Sequence, residues 1–285
     1  MDTFKDEAGG VVSRWEIVNG QLERQEHVNL GKTFPAHLLI DTDHNLALTA
    51  NYGSSSVNVI QMSADGMLKE VVQTLAYGEG CRDASHPHQV IRAGDVVWIV
   101  DLGCDAVYNY RIEGNQLQYA GSTAVLQYAG KVQVEEGAGP RHMVVDEDKK
   151  LAYLVCELKN FLLVFSYDEA GNLQQLEKVE FAEKEGQYGA EILLSEDRKT
   201  LYASSRGNGI ISVYRVQNNS LVKIQEVQLV GTWPRSFALR GNVMLAADQK
   251  SNQLQILSVD GLSGMLTPGG SVETPEAPAF VMFLD

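Results

Sequence analysis

Cysteine and long apolar runs are both scarce in this chain of 285 residues, and each shortage excludes a class of protein. The three cysteines, Cys81, Cys104 and Cys156, are odd in number and far apart, which argues against a disulfide framework or a zinc site. We therefore expect reduced thiols in a cytoplasmic protein. No apolar run approaches the length of a membrane span, and residues 1–7 lack the apolar stretch of a signal peptide.

Basic side chains are also in deficit, with 23 Lys and Arg against 37 Asp and Glu and a formal net charge of −14. This balance argues against bulk affinity for nucleic acid or for anionic membranes. A solvated acidic surface is sufficient to explain it. Helical periodicity of useful length is missing as well. At 44% hydrophobic residues, the chain nevertheless has ample material for a core.

The chain does contain a short phrase that returns about every 40 to 50 residues. Each copy is an apolar strand entered through a proline or glycine, with one or two polar residues at its start. The copies begin at Pro35, Pro87, Pro140, Gly189, Pro234 and Pro278. Short apolar strands at this period are typical of β-propeller blades, which bury their faces against their neighbours. We therefore predict an all-β fold, with one propeller domain over residues 1–285.

Three further strands are expected after each copy, completing a four-stranded blade. The second strand is continuously apolar, as in 96–100, and should be buried on both faces. The third alternates, as in 106–110, and is predicted to be half-exposed; the fourth is polar. Five blades are complete by this pattern. Partial strands are expected at both ends, over 11–30 and as a lone first strand over 280–284.

Polar and charged residues stand where these apolar strands begin or end. At the starts of first strands are His37, His88, Arg141, His142, Glu191 and Arg235, and at the ends of second strands are Asn51, Asp101, Glu157, Arg206 and Gln249. If the blades surround one axis, these side chains converge on a single funnel. Burying an unpaired charge is costly, so the charges have a reason to be there. They either cancel as Arg–carboxylate pairs or bind an anionic, oxygen-rich ligand, with a His or Glu as acid or base.

Other chemistries lack the partners that they need. His86 and His88 have no suitably spaced Cys, Asp or Glu, so no metal is expected. The glycine-rich stretch 136–140 has neither the Lys-Ser/Thr pair nor the helix of a phosphate loop, and predicts a tight turn instead. Ser204, Ser205 and the cysteines have no nearby base in a recognisable nucleophile motif. No cofactor is expected.

Several longer phrases occur in a fixed order along nearly the whole chain. They are Thr49-Ala50-Asn51-Tyr52, Val100-Asp101-Leu102-Gly103, Gly137-Ala138-Gly139-Pro140-Arg141-His142, Glu157-Leu158, Leu201-Tyr202-Ala203-Ser204-Ser205-Arg206-Gly207 and Trp233-Pro234-Arg235. Together they resemble the lactonase family of seven-bladed β-propellers. That family includes 6-phosphogluconolactonases of the cycloisomerase type and carboxy-cis,cis-muconate cyclases.

The resemblance implies a metal-independent lactone enzyme with its site in the central channel. In the cyclase branch the site is a His, two Arg and a Glu, and the matching motifs place the catalytic residues at His88, Arg141, Glu157 and Arg206. The substrate-binding candidates are Arg235, Gln249, His142, Asp101, Asn51 and His37. Two departures from the family are expected to matter. Leu193 stands where relatives often carry a histidine, and the chain is expected to lack the first blade and the inner strands of the second.

Three functions are open at this point. The leading one is hydrolysis of a sugar lactone, with 6-phospho-glucono-1,5-lactone of the pentose phosphate pathway as substrate. Arg141 and Arg206 would then hold the phosphate or carboxylate and stabilise the oxyanion, while His88 or Glu157 would be the general base. The second is a muconate-type lactonising isomerase. The third is a non-catalytic scaffold, favoured by the unpaired strand edges of a gapped ring. The expected partner is a small-molecule lactone, with no nucleic acid and no membrane.

Overall fold

Strands make up most of the computed structural model, which describes residues 9–79, 81, 84–112, 125–180 and 186–284. Residues 1–8, where no signal peptide is expected, lie outside the described residues. In chain order the strands are β1 Val11–Val18, β2 Gln21–Asn29, β3 Pro35–Asp41, β4 Leu46–Asn51, β5 Ser56–Met62, β6 Leu68–Ala76, β7 Pro87–Ala93, β8 Val96–Asp101, β9 Ala106–Ile112, β10 Leu126–Gln133, β11 Pro140–Asp146, β12 Leu151–Cys156, β13 Phe161–Tyr167, β14 Leu173–Glu180, β15 Tyr188–Leu194, β16 Thr200–Arg206, β17 Ile210–Gln217, β18 Ser220–Gln228, β19 Pro234–Arg240, β20 Val243–Asp248, β21 Gln253–Val259 and β22 Leu266–Glu273. A 3₁₀ turn, Tyr52–Ser54, follows β4.

Consecutive strands pair antiparallel into four-stranded sheets, namely β3–β6, β7–β10, β11–β14, β15–β18 and β19–β22. The strands β1 and β2 form a separate two-stranded sheet. The structure therefore confirms the five complete blades and the incomplete amino-terminal pair. Across the described ranges there is no helix with the length and apolarity needed to cross a membrane.

The lone first strand expected over 280–284 is wrong, because these residues carry no strand in the structure. The segment packs through side chains instead. Arg240 Nη1 donates to the Leu284 carbonyl at 2.9 Å, and the guanidinium lies 4.7 Å from the ring centre of Phe283. Residues 280–283 line a groove together with residues of β15 and β19. Apolar alternation predicts a strand only where a ladder partner is available, and here contacts such as those of Arg240 hold the segment.

Two compact units divide the chain, and each is described by itself. The first comprises Met1–Val134 and Glu169–Asn172; the second comprises Glu135–Asp168 and Leu173–Asp285. A single domain over the whole chain therefore stays a prediction. Within each unit, apolar side chains of successive sheets pack together, around Leu48 and Ile99 in the first unit and around Tyr153 and Leu201 in the second. This packing is what short apolar strands at blade spacing require.

The third strands are more buried than predicted. In β5 and β9 the first five residues of each strand are all buried, so the expectation of half-exposure is wrong for them. Their alternating polar residues point inward and are hydrogen-bonded. Asn58 Nδ2 donates to Thr74 Oγ1 at 2.9 Å, and Asn109 Nδ2 donates to the Ala170 carbonyl at 3.2 Å. Burying an amide that keeps its hydrogen bonds costs little free energy, so polar residues in a strand do not by themselves indicate exposure.

Cys81 and Cys104 form a disulfide, with their Cα atoms 4.5 Å apart, so the expectation of reduced thiols is wrong for this pair. Cys156 lies buried in β12. A separation of 23 residues along the chain hid the pairing. The bond joins the segment before β7 to the turn after β8, which the fold brings together. Because this pair is not reduced, cysteine usage no longer supports a cytoplasmic location.

Candidate active site

A β-bulge interrupts the start of every first strand. In β7, β11 and β19 the ladder skips one residue after the entering proline, and the extra residues are His88, Arg141 and Arg235. The same bulge in β3 leaves Ala36, and a wider one in β15 leaves Ala190 and Glu191. A bulge re-aims the side chain of the extra residue and often adjoins a functional site. The repeated phrase therefore encodes a repeated side-chain direction.

The predicted ends of the second strands do not share one register. The ladder pairs the first residue of each first strand with Asn51, Asp101, Cys156, Arg206 and Asp248 in turn. Glu157 and Gln249 each stand one position later, beyond the ends of β12 and β20. Counting apolar residues cannot resolve a shift of one position, because the end of a strand depends on its ladder partner.

The core of the site is a carboxylate between two guanidinium groups. Glu157 Oε2 lies 3.0 Å from Arg141 Nε and 2.8 Å from Arg206 Nη2. Both arginine side chains are almost completely buried, whereas 18% of the Glu157 side chain is exposed. Two backbone carbonyls at the bulge in β15 accept further bonds, Ala190 O from Arg141 at 2.6 Å and Gly189 O from Arg206 at 3.2 Å. The structure thus brings three of the four predicted catalytic residues together in the second unit.

The glycine-rich stretch 136–140, for which a tight turn was predicted, holds the backbone of Glu157. The Glu157 N–H donates to Gly139 O at 2.7 Å, and the Glu157 carbonyl accepts from Gly189 N at 3.1 Å. Gly139 has φ +62, and a Cβ atom there would stand 2.5 Å from Leu158 Cγ. A glycine is therefore required by both conformation and space. The backbone of Glu157 is held on both sides.

Positive charge exceeds negative charge around Glu157. Burial lowers the pKa of Arg141 to about 10, and the nearby Arg206 charge adds to this effect, but the group stays charged at neutral pH. Burial and the same Arg206 charge also lower the pKa of Arg235, the bulge residue of β19. Both lowered pKa values reflect guanidinium groups that are buried close to one another and repel one another. Such a cluster favours an anionic ligand, which would compensate the surplus charge.

A second carboxylate orients His142. The Nδ1 of His142 lies 2.8 Å from Glu191 Oε1, which also accepts from Ile192 N at 3.2 Å. Burial lowers the pKa of His142, against the charge of Glu191, which raises it. An ionised carboxylate can only accept a hydrogen bond, so Nδ1 donates its proton to Glu191. The predicted substrate-binding residue His142 thus lies in the same unit as the arginines, on a fixed ring.

The remaining predicted catalytic residue, His88, belongs to the first unit. It is 4% exposed, and its ring makes an edge contact with Tyr52 at 5.9 Å. The predicted residue His37 is half-buried and pairs with Ala50 in the ladder, one position after the bulge. The roles given to His88 and His37 stay predictions.

Two predicted substrate-binding residues are engaged in local structure. Asp101 accepts backbone bonds from His86, Gly103 and Cys104 at 2.8, 3.1 and 3.1 Å. Asn51 Nδ2 donates to Asn58 Oδ1 at 2.7 Å. Both side chains are completely buried. These contacts give each residue a structural role, so we leave both out of the proposed site.

The sequence predictions missed two aromatic rings beside the arginines, those of Trp233 and Tyr188, and the lysine that contacts one of them, Lys250. The Arg206 guanidinium carbon lies 5.6 Å from the ring centre of Trp233 and 6.0 Å from that of Tyr188. Lys250 follows the predicted residue Gln249, and its Nζ lies 3.1 Å from the Trp233 ring centre. Trp233 directly precedes the proline that begins β19, and Tyr188 is the first residue of β15. Their position at the start of the repeated phrase was therefore the sequence signal that could have identified them.

Metal sites and position 193 complete the description. Among the residues that the structure describes, no group of three His, Cys, Asp or Glu side chains could hold a metal ion. Leu193 packs against the apolar cluster that contains Tyr202 and Phe237. Leu193 is partly buried in this contact, and the significance of its difference from relatives stays a prediction.

Comparisons with known proteins identify the family of this chain. Residues 3–283 match the family model described as "Lactonase, 7-bladed beta-propeller". The chain is 28% identical to a 6-phosphogluconolactonase of Bacillus subtilis, over 98% of this chain and 82% of that protein. It is 29% identical to a 6-phosphogluconolactonase of Pectobacterium carotovorum, over 88% of this chain and 74% of that protein.

Two solved structures extend the comparison. A protein from Lactobacillus plantarum superposes with a TM-score of 0.89 at 28% identity, covering 99% of this chain and 83% of that one. The periplasmic gluconolactonase of Pseudomonas aeruginosa superposes with a TM-score of 0.83 at 28% identity, covering 93% and 77%. With a family model matched over nearly its whole length, this chain belongs to the lactonase family of seven-bladed β-propellers.

Proposed function

We propose that this protein hydrolyses a sugar lactone, 6-phospho-glucono-1,5-lactone, to 6-phosphogluconate. Relatives that carry the name 6-phosphogluconolactonase support the reaction class. The observation that carries the proposal is the pair of buried guanidiniums on Glu157, with Arg235 and Lys250 nearby. These four cations face three carboxylates, Glu157, Glu191 and Asp248, the last of which accepts from Trp233 N, so positive charge is in excess by one. A phosphate monoester carries a charge of about −1.5 to −2 at neutral pH and would be attracted by this excess.

The arginines supply the electrostatic part of the reaction. As water attacks the lactone carbonyl carbon, negative charge develops on the carbonyl oxygen. Arg141 and Arg206 are buried and already held by backbone carbonyls, so they can stabilise this charge without reorganising. Cationic side chains fixed in a site of low water content act more strongly than the same groups in bulk solvent.

Glu157 supplies the proton transfer in this proposal. It adjoins both guanidiniums and is partly exposed, so a water molecule can reach it beside the bound carbonyl. The attacking water gives its proton to Glu157, and the tetrahedral intermediate then breaks the bond between the carbonyl carbon and the ring oxygen. The ring oxygen takes the proton back and leaves as the C5 hydroxyl group. General base catalysis of this kind contributes about 10²–10⁴ in rate.

Removing one oxyanion partner should lower turnover without unfolding the protein. We expect Arg141→Met to lower kcat/KM for 6-phospho-glucono-1,5-lactone about 100-fold, as loss of one donor to an oxyanion does. Lactone opening followed by acid release at constant pH measures it. The matched control is Arg240→Met, which removes an arginine from the same unit that contacts Phe283 instead of the site. Equal losses in the two variants would remove the special role of Arg141.

The wild-type protein decides the reaction class on a substrate panel. It contains 6-phospho-glucono-1,5-lactone, glucono-1,5-lactone and carboxy-cis,cis-muconate, each corrected for its spontaneous reaction. Catalysed opening of the sugar lactones is the expected result. Conversion of the muconate alone would establish the lactonising isomerase instead, and no turnover of any compound would favour a binding scaffold.

We further propose a cytoplasmic role in the pentose phosphate pathway, because the expected substrate is a phosphorylated sugar acid lactone. The disulfide between Cys81 and Cys104 favours an oxidising compartment instead, since disulfides are rare in the cytosol. Thiol counting on protein isolated from cells under alkylating conditions distinguishes the cytoplasm from an oxidising compartment. Two accessible thiols at these positions support the cytoplasm.

A further inference from the structure

An aromatic surface adjoins the arginine cluster and has no role in the mechanism above. The ring centres of Trp233 and Tyr188 lie 6.0 Å apart, with their planes inclined by 49°. The backbone of Trp233 is held at both ends, because its N–H donates to Asp248 at 3.0 Å and its carbonyl accepts from Gln249 N at 3.1 Å. The backbone of Trp233 is therefore fixed, and its indole lies beside Arg206, one of the two guanidiniums on Glu157.

Lys250 places a further cation on this indole. Its side chain is exposed, and Nζ lies 3.1 Å from the Trp233 ring centre. None of the ion pairs between residues that the structure describes includes Lys250, whereas Lys159 and Lys178 are both bound to Glu135. A cation–π contact is worth about 0.5–1 kcal/mol at an exposed site, enough to bias the position of the side chain. The ammonium group is thus held near the site and is accessible to an anion.

We propose that Lys250 and Trp233 form an outer subsite for the phosphate group of the substrate, selecting phosphorylated over unphosphorylated sugar lactones. This inference rests on the proposed function. The Trp233 ring centre lies 3.1 Å from Lys250 Nζ and 5.6 Å from the Arg206 guanidinium carbon, so the two cations are less than 9 Å apart. In the substrate, the lactone carbonyl (C1) and the carbon that bears the 6-phosphate arm (C5) flank the ring oxygen, so the carbonyl oxygen and the phosphate project from one edge of the sugar ring.

A bound substrate can therefore reach both cations. With its carbonyl at the arginines, its phosphate lies at Lys250, and the sugar ring lies beside Trp233. A lysine suits the outer position, because its flexible point charge binds a phosphate without fixing one geometry. The inner arginines then act on the carbonyl and the outer lysine acts on binding alone.

The test compares 6-phospho-glucono-1,5-lactone with glucono-1,5-lactone in wild type, Lys250→Met, Lys250→Arg and Lys199→Met. Lys199 is a matched control, an exposed lysine of the same unit that lies 3.4 Å from Asp197. We expect Lys250→Met to raise KM for the phosphorylated lactone about tenfold, with kcat unchanged and no change for the unphosphorylated one. Lys250→Arg should keep most of the discrimination, since it keeps the charge.

Three outcomes would overturn the subsite. They are an unchanged ratio of kcat/KM values in Lys250→Met, an equal change in Lys199→Met, and a parallel loss on both lactones. If the wild type opens neither lactone, the proposed function fails, and calorimetric titration with 6-phosphogluconate and gluconate then decides the subsite by itself. Tighter binding of the phosphorylated compound that is lost in Lys250→Met supports it; absence of that difference overturns it.

Discussion

Glutamine at position 157 should lower kcat/KM for 6-phospho-glucono-1,5-lactone about 1,000-fold, the largest catalytic effect that we expect from one substitution. The variant loses the group that accepts the proton from water. It also leaves Arg141 and Arg206 buried without the carboxylate that lies 3.0 and 2.8 Å from them. Removing one partner of a buried ion pair is costly, because the remaining charge is uncompensated. Stopped-flow measurement of acid release gives the rate.

The same measurement on His88→Gln separates the two candidate bases. His88 is the alternative named by the family resemblance, and it lies in a bulge like that of Arg141. If Glu157 is the base, His88→Gln loses much less activity than Glu157→Gln. The reverse order would assign proton transfer to His88 and leave Glu157 the role of holding the arginines. Circular dichroism of both variants checks that the sheets remain.

Alanine at position 98 should destabilise the first unit by about 3–5 kcal/mol, the largest stability effect that we expect. Trp98 lies in β8 with no exposed surface, and its Nε1 donates to the Gly171 carbonyl at 2.9 Å. Gly171 belongs to Glu169–Asn172, which groups with the first unit. The substitution therefore removes a large buried ring and leaves a buried carbonyl without its donor.

Urea unfolding followed by far-ultraviolet circular dichroism measures the loss. Trp98→Phe is the matched variant, because it keeps an aromatic ring but removes the donor to Gly171. We expect its cost to fall between those of wild type and Trp98→Ala, at about 1–3 kcal/mol. A midpoint of Trp98→Ala within error of the wild type would contradict the packing described for β8.

Much of the fold could be predicted because the repeated phrase combines two strong constraints. An apolar run sets a buried strand, and a proline at its first residue sets the strand start, where no ladder N–H is needed. The bulge beyond that proline aims Arg141 and Arg235 as the polar starts of their phrases suggested. The same reasoning wrongly predicted a strand over residues 280–284, because an alternating sequence does not show whether a ladder partner is present.

The candidate site was predictable where charge had to be explained, and not where geometry alone decides. Arg141, Glu157 and Arg206 stand at the starts or ends of apolar strands, where a charge needs an explanation, so their chemistry is visible in the sequence. Asp101 stands at such an end too, but its carboxylate binds the backbone of the following turn. Lys250 resembles any solvated lysine, and its contact with Trp233 depends on where two loops meet.

A crystal structure with bound 6-phosphogluconate tests the central claim most directly. The product carries a carboxylate where the lactone carries its carbonyl, so it reports the positions of both the carbonyl and the phosphate. We predict carboxylate oxygens within hydrogen-bond distance of Arg141 and Arg206, and the phosphate within reach of Lys250. Product bound at saturating concentration away from the guanidiniums on Glu157, or no bound product at all, would contradict the assignment of this site.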